Sequence, residues 1–299
     1  MKNIKNIAKN LVIYSLLLVG LTQAAMSAGS FAEQFIISDT SGEIVDVVDN
    51  GLDTSSRDFF LEVSRGNRPG MRGFSIPGRK DSIGTTNLED ITETGNTVLP
   101  RPAGADLDIV SANGNDTAAG TGVQELHIEY LDSSGDEQTL VVATNGGTVN
   151  VGTSIYDVNW IHATAVGANT VAVGDITLVD NATGAIVYEQ ISAGGNQSLS
   201  ARFKIPADTT GYLIGWQASA ITRKIDIRVR ADIDRFDRSL QTGVFNFQDV
   251  IVLEQAPSGW IPIATPLKLP ALSTIKMSGI SFTGAGDGSG QFDIILIDD

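Results

Sequence analysis

Residues 113–131 read NGNDTAAGTGVQELHIEYL, and they are followed by the turn DSSGDE at 132–137 and by QTLVVATNGGTVNV at 138–151. A polar Gly/Ala/Thr loop thus leads into apolar residues that alternate with polar ones, and the turn separates them from a second such run. Alternation with a period of two is typical of half-buried strands, so this stretch predicts part of a β-meander. None of its side chains is arranged for catalysis. The function is therefore expected to lie in what this surface binds or in the assembly that it helps to build.

The alternation assigns the side chains of the first predicted strand to two faces. One face carries Val123, Glu125, His127 and Glu129, and the other carries Leu126, Ile128 and Tyr130. Including this one, strands are predicted near residues 106–112, 123–131, 137–144, 148–151, 158–166, 173–179, 185–192, 197–204, 210–219, 223–233, 244–254, 273–283 and 290–297. Strands that follow one another about every 8–15 residues are typical of sandwiches and jelly rolls. We therefore predict an all-β fold, an antiparallel β-sandwich or jelly-roll-like domain over residues 106–299, with a division into two subdomains near residue 205 as one alternative.

Two of these strands have distinctive patterns. In Lys224–Ile233 the alternate residues from Ile225 onward are apolar, whereas the opposite face carries Asp226, Arg228, Arg230 and Asp232. That charged face is expected to be solvated or to face another subunit. The last strand, FDIILID at 292–298, is apolar on both faces and is expected to lie centrally in a sheet that is covered on both sides.

The composition narrows the classes of partner and chemistry. The chain has 299 residues, of which 42% are hydrophobic and 18% charged, and its net charge is −15. This acidic surface repels phosphates, so no nucleic-acid partner is expected, and it indicates either simple solubility or a partner with a basic face. Cysteine is absent, which excludes disulfides, thiolate nucleophiles and cysteine-based zinc sites.

The N-terminal segment, residues 1–30, resembles a targeting or anchoring sequence. Lys2, Lys5 and Lys9 precede the apolar run 11–21 (LVIYSLLLVGL), and small residues follow it. Three interpretations remain open: a cleaved secretory signal, a retained short apolar helix that docks into a partner, or an upstream extension with the true start at Met26. The run is short for a membrane span, so membrane contact is expected only through residues 10–25.

Residues 31–105 are predicted to form an extended N-terminal arm with short strands. The part at 66–106 holds four prolines and many glycines, and such a composition buries little apolar surface. It is either a solvated linker or an arm that lies across a neighbouring subunit. The segment 58–64 is expected to be a strand or a single helical turn.

The sequence predicts no catalytic, cofactor-binding or metal-binding residues. His127 and His162 each lie within a strand pattern without a ligand partner at suitable spacing. The runs 114–122 and 284–290 (GAGDGSG) lack the Lys-Ser/Thr and the helix start of a phosphate-binding loop. Asp116, near Asn113 and Asn115, and Asp287 are candidate calcium ligands, but neither has the spaced acidic run of an EF-hand, so turn roles are favoured. Trp160, Trp216 and Trp260 are expected to be core or interface anchors.

Several segments resemble a known family, the virion structural proteins of tailed, often marine, bacteriophages. The resemblance covers residues 58–299. It is carried by FLEVSRGN within 59–67, RGFSIPGRKD at 72–81, NDTAAGTG within 111–131, DSSGDE at 132–137, ARFKIP at 201–206, GYLIGWQAS at 211–219 and FDIILID at 292–298. The apolar residues 10–25 are not typical of that family, and residues 84–102 lack its Trp-rich piece.

The resemblance implies a non-enzymatic particle component: a capsid decoration or cement protein, a head fibre or a tail-associated protein. It implies a homo-oligomer, for which a trimer is plausible, bound to other virion proteins such as major capsid or tail proteins and assembled in the host cytoplasm. A secreted, extracellular β-sandwich adhesin or surface-binding module that uses the leader is the alternative. A glycan-hydrolysing tail component is the third reading, although aromatic residues are only 6% of the chain.

Overall fold

The computed structural model describes residues 47–48, 51–52, 59–234 and 236–299. The chain divides into two units, Met1–Arg57 and Asp58–Asp299. In the first unit the described residues are strands β1 (Val47–Val48) and β2 (Gly51–Leu52), which pair antiparallel. The apolar helix predicted within residues 1–30 and most of the arm predicted before residue 58 lie outside the described residues.

The second unit consists almost entirely of strands. Its elements are α1 (Phe59–Ser64), β3 (Met71–Ile83), β4 (Glu89–Asp90), β5 (Leu107–Ser111), β6 (Val123–Leu131), β7 (Glu137–Ala143), β8 (Thr148–Gly152), β9 (Asp157–Val166), β10 (Ile176–Asp180), β11 (Val187–Ile191), β12 (Arg202–Lys204), β13 (Thr209–Ala220), β14 (Lys224–Ala231), β15 (Asn246–Glu254), β16 (Ile261–Leu269), β17 (Thr274–Ser281) and β18 (Gly286–Asp298). Every strand pair among them is antiparallel. The predicted all-β, antiparallel fold class is therefore confirmed.

The middle of the chain forms the first sandwich. One sheet has the order β11-β10-β5-β8 and the other the order β7-β6-β9. Both sheets contribute to one hydrophobic core, whose largest fully buried members include Leu107, Ile109, Leu126, Ile128, Ile161 and Ile176. The meander predicted from the sequence, β6 followed by β7, is one half of this sandwich.

The segments on either side of the first sandwich form the second. One sheet has the order β12-β17-β14-β15, with β4 also paired to β17, and the other has the order β16-β13-β18-β3. Their shared core contains the apolar face predicted for the strand at 224–233, together with Trp216 and Phe292. The first sandwich is thus inserted between β4 and β12 of the second. The predicted domain boundaries themselves stay a prediction.

The face predicted for Val123 in β6 is wrong. Val123 points into the core and not to the face of His127, because the pairing of β6 with β9 shifts register at Val123/Glu125 and again at Glu125/Leu126. A bulge reverses the face on which the preceding residue lies.

Strands β3 and β16 were not predicted. β3 lies inside the expected arm, yet it pairs with β18 from Met71 to Ile83 within the chain's own sheet. Pro77 in β3 and Pro262 in β16 are tolerated because both strands lie at the edges of their sheet, where a missing N–H breaks no ladder. This portion of the expected linker or intersubunit arm is therefore an edge strand of the sandwich.

The C-terminal strand lies centrally, as expected. β18 is hydrogen-bonded to β13 on one side and to β3 on the other. Phe292 and Ile294 are buried in the core, and Ile295 is buried on the opposite face. The Gly-rich run at 284–290 belongs partly to this strand: a Cβ at Gly290 would lie 2.4 Å from the Met277 methyl group. Glycine at that position therefore makes room for the facing sheet.

Candidate interaction surface

Asp116 anchors the polar loop before β6. Its Oδ1 accepts hydrogen bonds from the N–H groups of Val123 and Val173, and its Oδ2 accepts from Gly174 N–H and the Ser111 hydroxyl, at 2.9–3.0 Å. Burial alone raises the pKa of this carboxyl, but these four bonds outweigh it and hold the pKa below its usual value. Protein donors bind both oxygens, so Asp116 ties this loop to Ser111, to the start of β6 and to residues 173–174.

Asp287 also has a structural role. Its Oδ1 accepts a hydrogen bond from Ser82 N–H at 3.0 Å, and its own N–H donates to the Thr222 hydroxyl at 3.0 Å. These bonds tie β18 to the end of β3 and to the turn before β14.

The two histidines of the chain lie next to each other. His127 of β6 is paired directly with His162 of β9, with ring centroids 5.1 Å apart, and the Trp160 ring stacks on His162 at 4.0 Å. His162 Nδ1 is buried without a hydrogen-bond partner among the described residues. Burial, followed by the proximity of His127, lowers the pKa of His162. The sequence placed both residues in strands but did not predict that they meet.

The three tryptophans have different environments. Trp216 is fully buried, and its Nε1 donates to Asp249 Oδ2 at 2.8 Å. Trp160 and Trp260 are each more than one-third exposed. The prediction of a core anchor is confirmed for Trp216, and the roles of the other two as interface anchors stay a prediction.

A buried charged cluster covers part of the outer face of sheet β12-β17-β14-β15. Asp90 Oδ1 accepts from Ser278 Oγ at 2.8 Å and Arg230 Nη2 at 3.1 Å, and its Oδ2 accepts from Lys276 Nζ at 2.8 Å and Leu99 N at 3.0 Å. Burial lowers the pKa of Lys276, and the charge of Asp90 opposes that shift. This part of the face predicted to be solvated or subunit-facing is therefore covered by the chain itself.

A second ionic cluster joins the two sandwiches. Asp157 at the start of β9 accepts a hydrogen bond on Oδ1 from Arg202 of β12. Its Oδ2 lies 2.7 Å from Arg101 Nε, an ion-pair distance without hydrogen-bond alignment. Since one partner belongs to each sandwich, this cluster fixes their junction.

Glu189 of β11 is a buried acid close to the same junction. Its Oε2 accepts a hydrogen bond from the Ser200 hydroxyl at 2.7 Å, and Ser200 in turn lies 2.8 Å from Thr92 Oγ1. Within the described ranges it has no ion-pair partner. Burial raises the pKa of Glu189 to about 7, against the opposing effect of the Ser200 hydrogen bond.

The other end of the same outer face is open and largely apolar. β15 is the last strand of its sheet, and Phe247, Val250 and Val252 on its outer face are each about half exposed. The Arg228 guanidinium of β14 lies over the Phe247 ring, 4.4 Å from its centroid, and is held there by Asp226 through bonds of 2.7–3.1 Å. We call Phe247, Val250, Val252 and Arg228 the β15 patch. The sequence predicted the strand but not that it lies at an edge.

The part of the chain that the structure describes contains no group of three or more His, Cys, Asp or Glu side chains placed to hold a metal ion. None of its helices is long and apolar enough to cross a membrane.

No protein-family model and no curated protein sequence matches the chain. Among solved structures, the infectious bursal disease virus Gx strain structure is 13% identical, with 76% of this chain and 72% of that chain covered and a TM-score of 0.21. An empty particle of Cowpea mosaic virus is 8% identical (65% and 82% covered, TM-score 0.17). The CBM22-1-CBM22-2 tandem domain of Paenibacillus barcinonensis Xyn10C is 10% identical (78% and 92% covered, TM-score 0.20). The weak neighbours are thus β-rich viral capsid proteins and a tandem CBM22 domain, and at these TM-scores the likeness carries no argument about function.

Proposed function

We propose that the chain is a non-enzymatic structural protein of a tailed-bacteriophage virion: a capsid decoration or cement protein, a head fibre or a tail-associated component. It would assemble through β-rich interfaces with copies of itself and with other virion proteins. The β15 patch, on an edge strand that contains neither proline nor lysine, carries the proposal. The resemblance of residues 58–299 to phage virion proteins supports the choice of particle.

The edge at β15 differs from other edges of the second sandwich. Among the described residues, β15 pairs only with β14, and its sequence NFQDVIVLE contains neither proline nor lysine. Edge strands β3 and β16 carry Pro77, Pro262 and Pro266. Proline and lysine are devices that prevent edge strands from pairing with other chains. A nine-residue edge without them suits a strand that receives a partner.

The side chains of the β15 patch favour the same conclusion. The backbone N–H of Val250 already donates a hydrogen bond to Asp249 Oδ1 at 2.8 Å, so it is not free to pair with another strand. The exposed side chains on either side of that bond are nevertheless apolar, and contiguous exposed apolar surface marks interaction sites. The Arg228 guanidinium, about a quarter exposed and hydrogen-bonded to Asp226, adds a cation beside them, and arginine is enriched at protein interfaces.

The experiment compares the molar mass of the full chain with that of a Val250→Lys variant by light scattering across a range of concentrations. A charge at the centre of the edge opposes strand pairing, so the variant should lose the oligomer that the parent forms. Val98→Lys is the matched control because Val98 is an equally exposed valine in a loop. A monomeric parent at all concentrations, or an equal loss in both variants, would contradict assembly through β15.

A second measurement tests whether the chain is a component of a phage particle. The chain should co-purify with phage particles, and mass spectrometry should find it there with Met1 or Met26 at its start. A mature terminus near residues 25–29 in the culture medium, with no particle association, would favour the secreted adhesin instead.

A further inference from the structure

A small pocket lies where the two sandwiches meet. It has a volume of about 220 Å³. The turn after β6 and the start of β9 supply one wall, including Ser133, Ser134 and Tyr156, and the second sandwich supplies the other wall, including Lys204 and Thr242. Pockets at domain junctions are common ligand sites, and this one is smaller than the roughly 300–1,000 Å³ of pockets for drug-sized molecules.

Lys204 is the unusual residue of this pocket. Its side chain belongs to β12, and the residue is only 6% exposed. Asn159 holds its backbone on both sides: Lys204 N–H donates to Asn159 Oδ1 at 2.8 Å, and Asn159 Nδ2 donates to Lys204 O at 3.0 Å. Among the described residues, the Lys204 ammonium itself has neither a hydrogen bond nor an ion-pair partner. An ammonium in a largely buried side chain is costly unless water or another acceptor in the pocket satisfies it.

The carboxylates around the pocket are already bound to other groups. Asp157 pairs with Arg101 and Arg202. Asp132 Oδ1 accepts from the N–H groups of Ser134 and Asp136, and its Oδ2 accepts from Gln138 Nε2.

Asp232 is the remaining acid close to Lys204. It accepts hydrogen bonds from the N–H groups of Thr274 and Gly243. Burial lowers the pKa of Lys204, the charges of Asp157 and Asp232 oppose that shift, and those of Arg101 and Arg202 add to it. Neither carboxylate forms a direct hydrogen bond or ion pair with the ammonium.

Arg101 provides a second cation at the same pocket. Its side chain is nearly half exposed, and among the described residues it forms an ion pair from Nε to Asp157 Oδ2. The guanidinium carries five N–H donors in a planar fork that matches carboxylate and phosphate groups. The hydroxyls of Ser133 and Ser134 are further donors at the pocket wall.

We propose that this pocket binds a small oxyanion, a phosphate group or a carboxylate, between Lys204 and Arg101. The bound group accepts from the Lys204 ammonium and the free edge of the Arg101 guanidinium. Charge-assisted hydrogen bonds of this kind are among the stronger ones in proteins. Because residues of both sandwiches line the pocket, the anion also ties the two together.

The experiment measures binding of inorganic phosphate and of acetate to the full chain by titration calorimetry, at constant ionic strength set with sodium chloride. At least one of the two should bind saturably. Phosphate binding would identify a phosphate ligand, and acetate binding would identify a carboxylate such as an acidic side chain of a partner. Lys204→Met and Arg101→Gln should each weaken the binding by tenfold or more, whereas Lys224→Met, at an exposed lysine outside the pocket, should leave it unchanged.

Arg101→Gln keeps the test valid if Lys204→Met fails to fold, since the Arg101 side chain is nearly half exposed and Asp157 keeps its pair with Arg202 in that variant. Absence of saturable binding of either anion to the parent chain would overturn the proposal. Equal affinity in the parent and in Arg101→Gln would overturn it too, because the anion would then bind elsewhere. Neither result bears on assembly through β15, which is measured separately.

Discussion

Lys276 and Asp90 lie 186 residues apart in the chain, yet Lys276 Nζ donates to Asp90 Oδ2 at 2.8 Å in a buried setting. The two-residue strand β4 brings Asp90 to the outer face of β17, where Arg230 and Ser278 also bind it. The Asp90 carboxylate thus forms ion pairs with two buried cations. It neutralises only one of their two charges, and the arrangement depends on that single residue.

Replacement of Asp90 by alanine is therefore expected to destabilise the fold strongly. It leaves Lys276 and Arg230 buried without their anion, and removing one partner of a buried pair costs about 3–5 kcal/mol. The free energy of unfolding in urea is the measurement. Asp81→Ala is the control: its pair with Arg79 is more than half exposed, so the cost should be at most about 1 kcal/mol. Equal effects in the two variants would contradict this account.

The sequence predicted those parts of the fold that obey a local period. The sequence alternates regularly from Leu126 to Tyr130 and from Lys224 to Ala231, and the strands predicted near 123–131 and 223–233 agree with β6 and β14 in type and closely in position. β3 and β16 were missed because their prolines and glycines obscure the alternation. Proline is compatible with a strand only at a sheet edge, and sheet order is decided by distant parts of the chain.

The buried charged clusters could not be predicted for a related reason. Asp90, Arg230 and Lys276 belong to three strands far apart in sequence, and no local pattern indicates that they meet. The alternating charges at 226–232 were the available signal, but an alternating polar face is equally typical of a solvated sheet. The burial of Lys204 likewise could not be predicted from the neighbouring sequence, because it results from the docking of the inserted sandwich.

Glu189 should make the stability of the chain depend on pH. Its pKa in the folded chain is about 7, above the value of 4.5 for an unburied glutamate, so the folded state binds its proton more tightly. Stability from this group is fully present below about pH 4.5 and is lost as the pH rises through 7. A shift of this size corresponds to about 3 kcal/mol.

The variant Glu189→Gln isolates this effect from other titrating groups. Glutamine stays neutral, and its carbonyl can accept the Ser200 hydrogen bond. Unfolding free energies of parent and variant should therefore be similar at pH 4.5, and the variant should be more stable at pH 8. A difference that does not change between these pH values would contradict a raised pKa of Glu189.

His162 should titrate below the usual histidine value of about 6.5. Burial disfavours its charged form, and His127 directly opposite adds repulsion when both are protonated. The neutral form is favoured in the folded state, so this residue contributes stability above pH 6.5 that falls as the pH drops below it. NMR titration of the imidazole signals measures the pKa, and His127→Gln should move that of His162 upward. A pKa of His162 at or above 6.5 in the parent chain would contradict the prediction.

Gly78 tests whether β3 is an integral strand of the second sandwich. A Cβ at this position would lie 2.4 Å from Ala201 N and 2.7 Å from Ile91 O. Both are backbone atoms of segments that pack closely on β3, so they cannot move aside as a flexible side chain can. Gly78→Ala is therefore expected to cost about 1–3 kcal/mol of unfolding free energy, the range for overpacking. Gly114→Ala is the matched control, because nothing lies within 4 Å of its added Cβ and its φ is not positive. If β3 were instead an arm that leaves the chain's own sheet, the two variants would be equally stable.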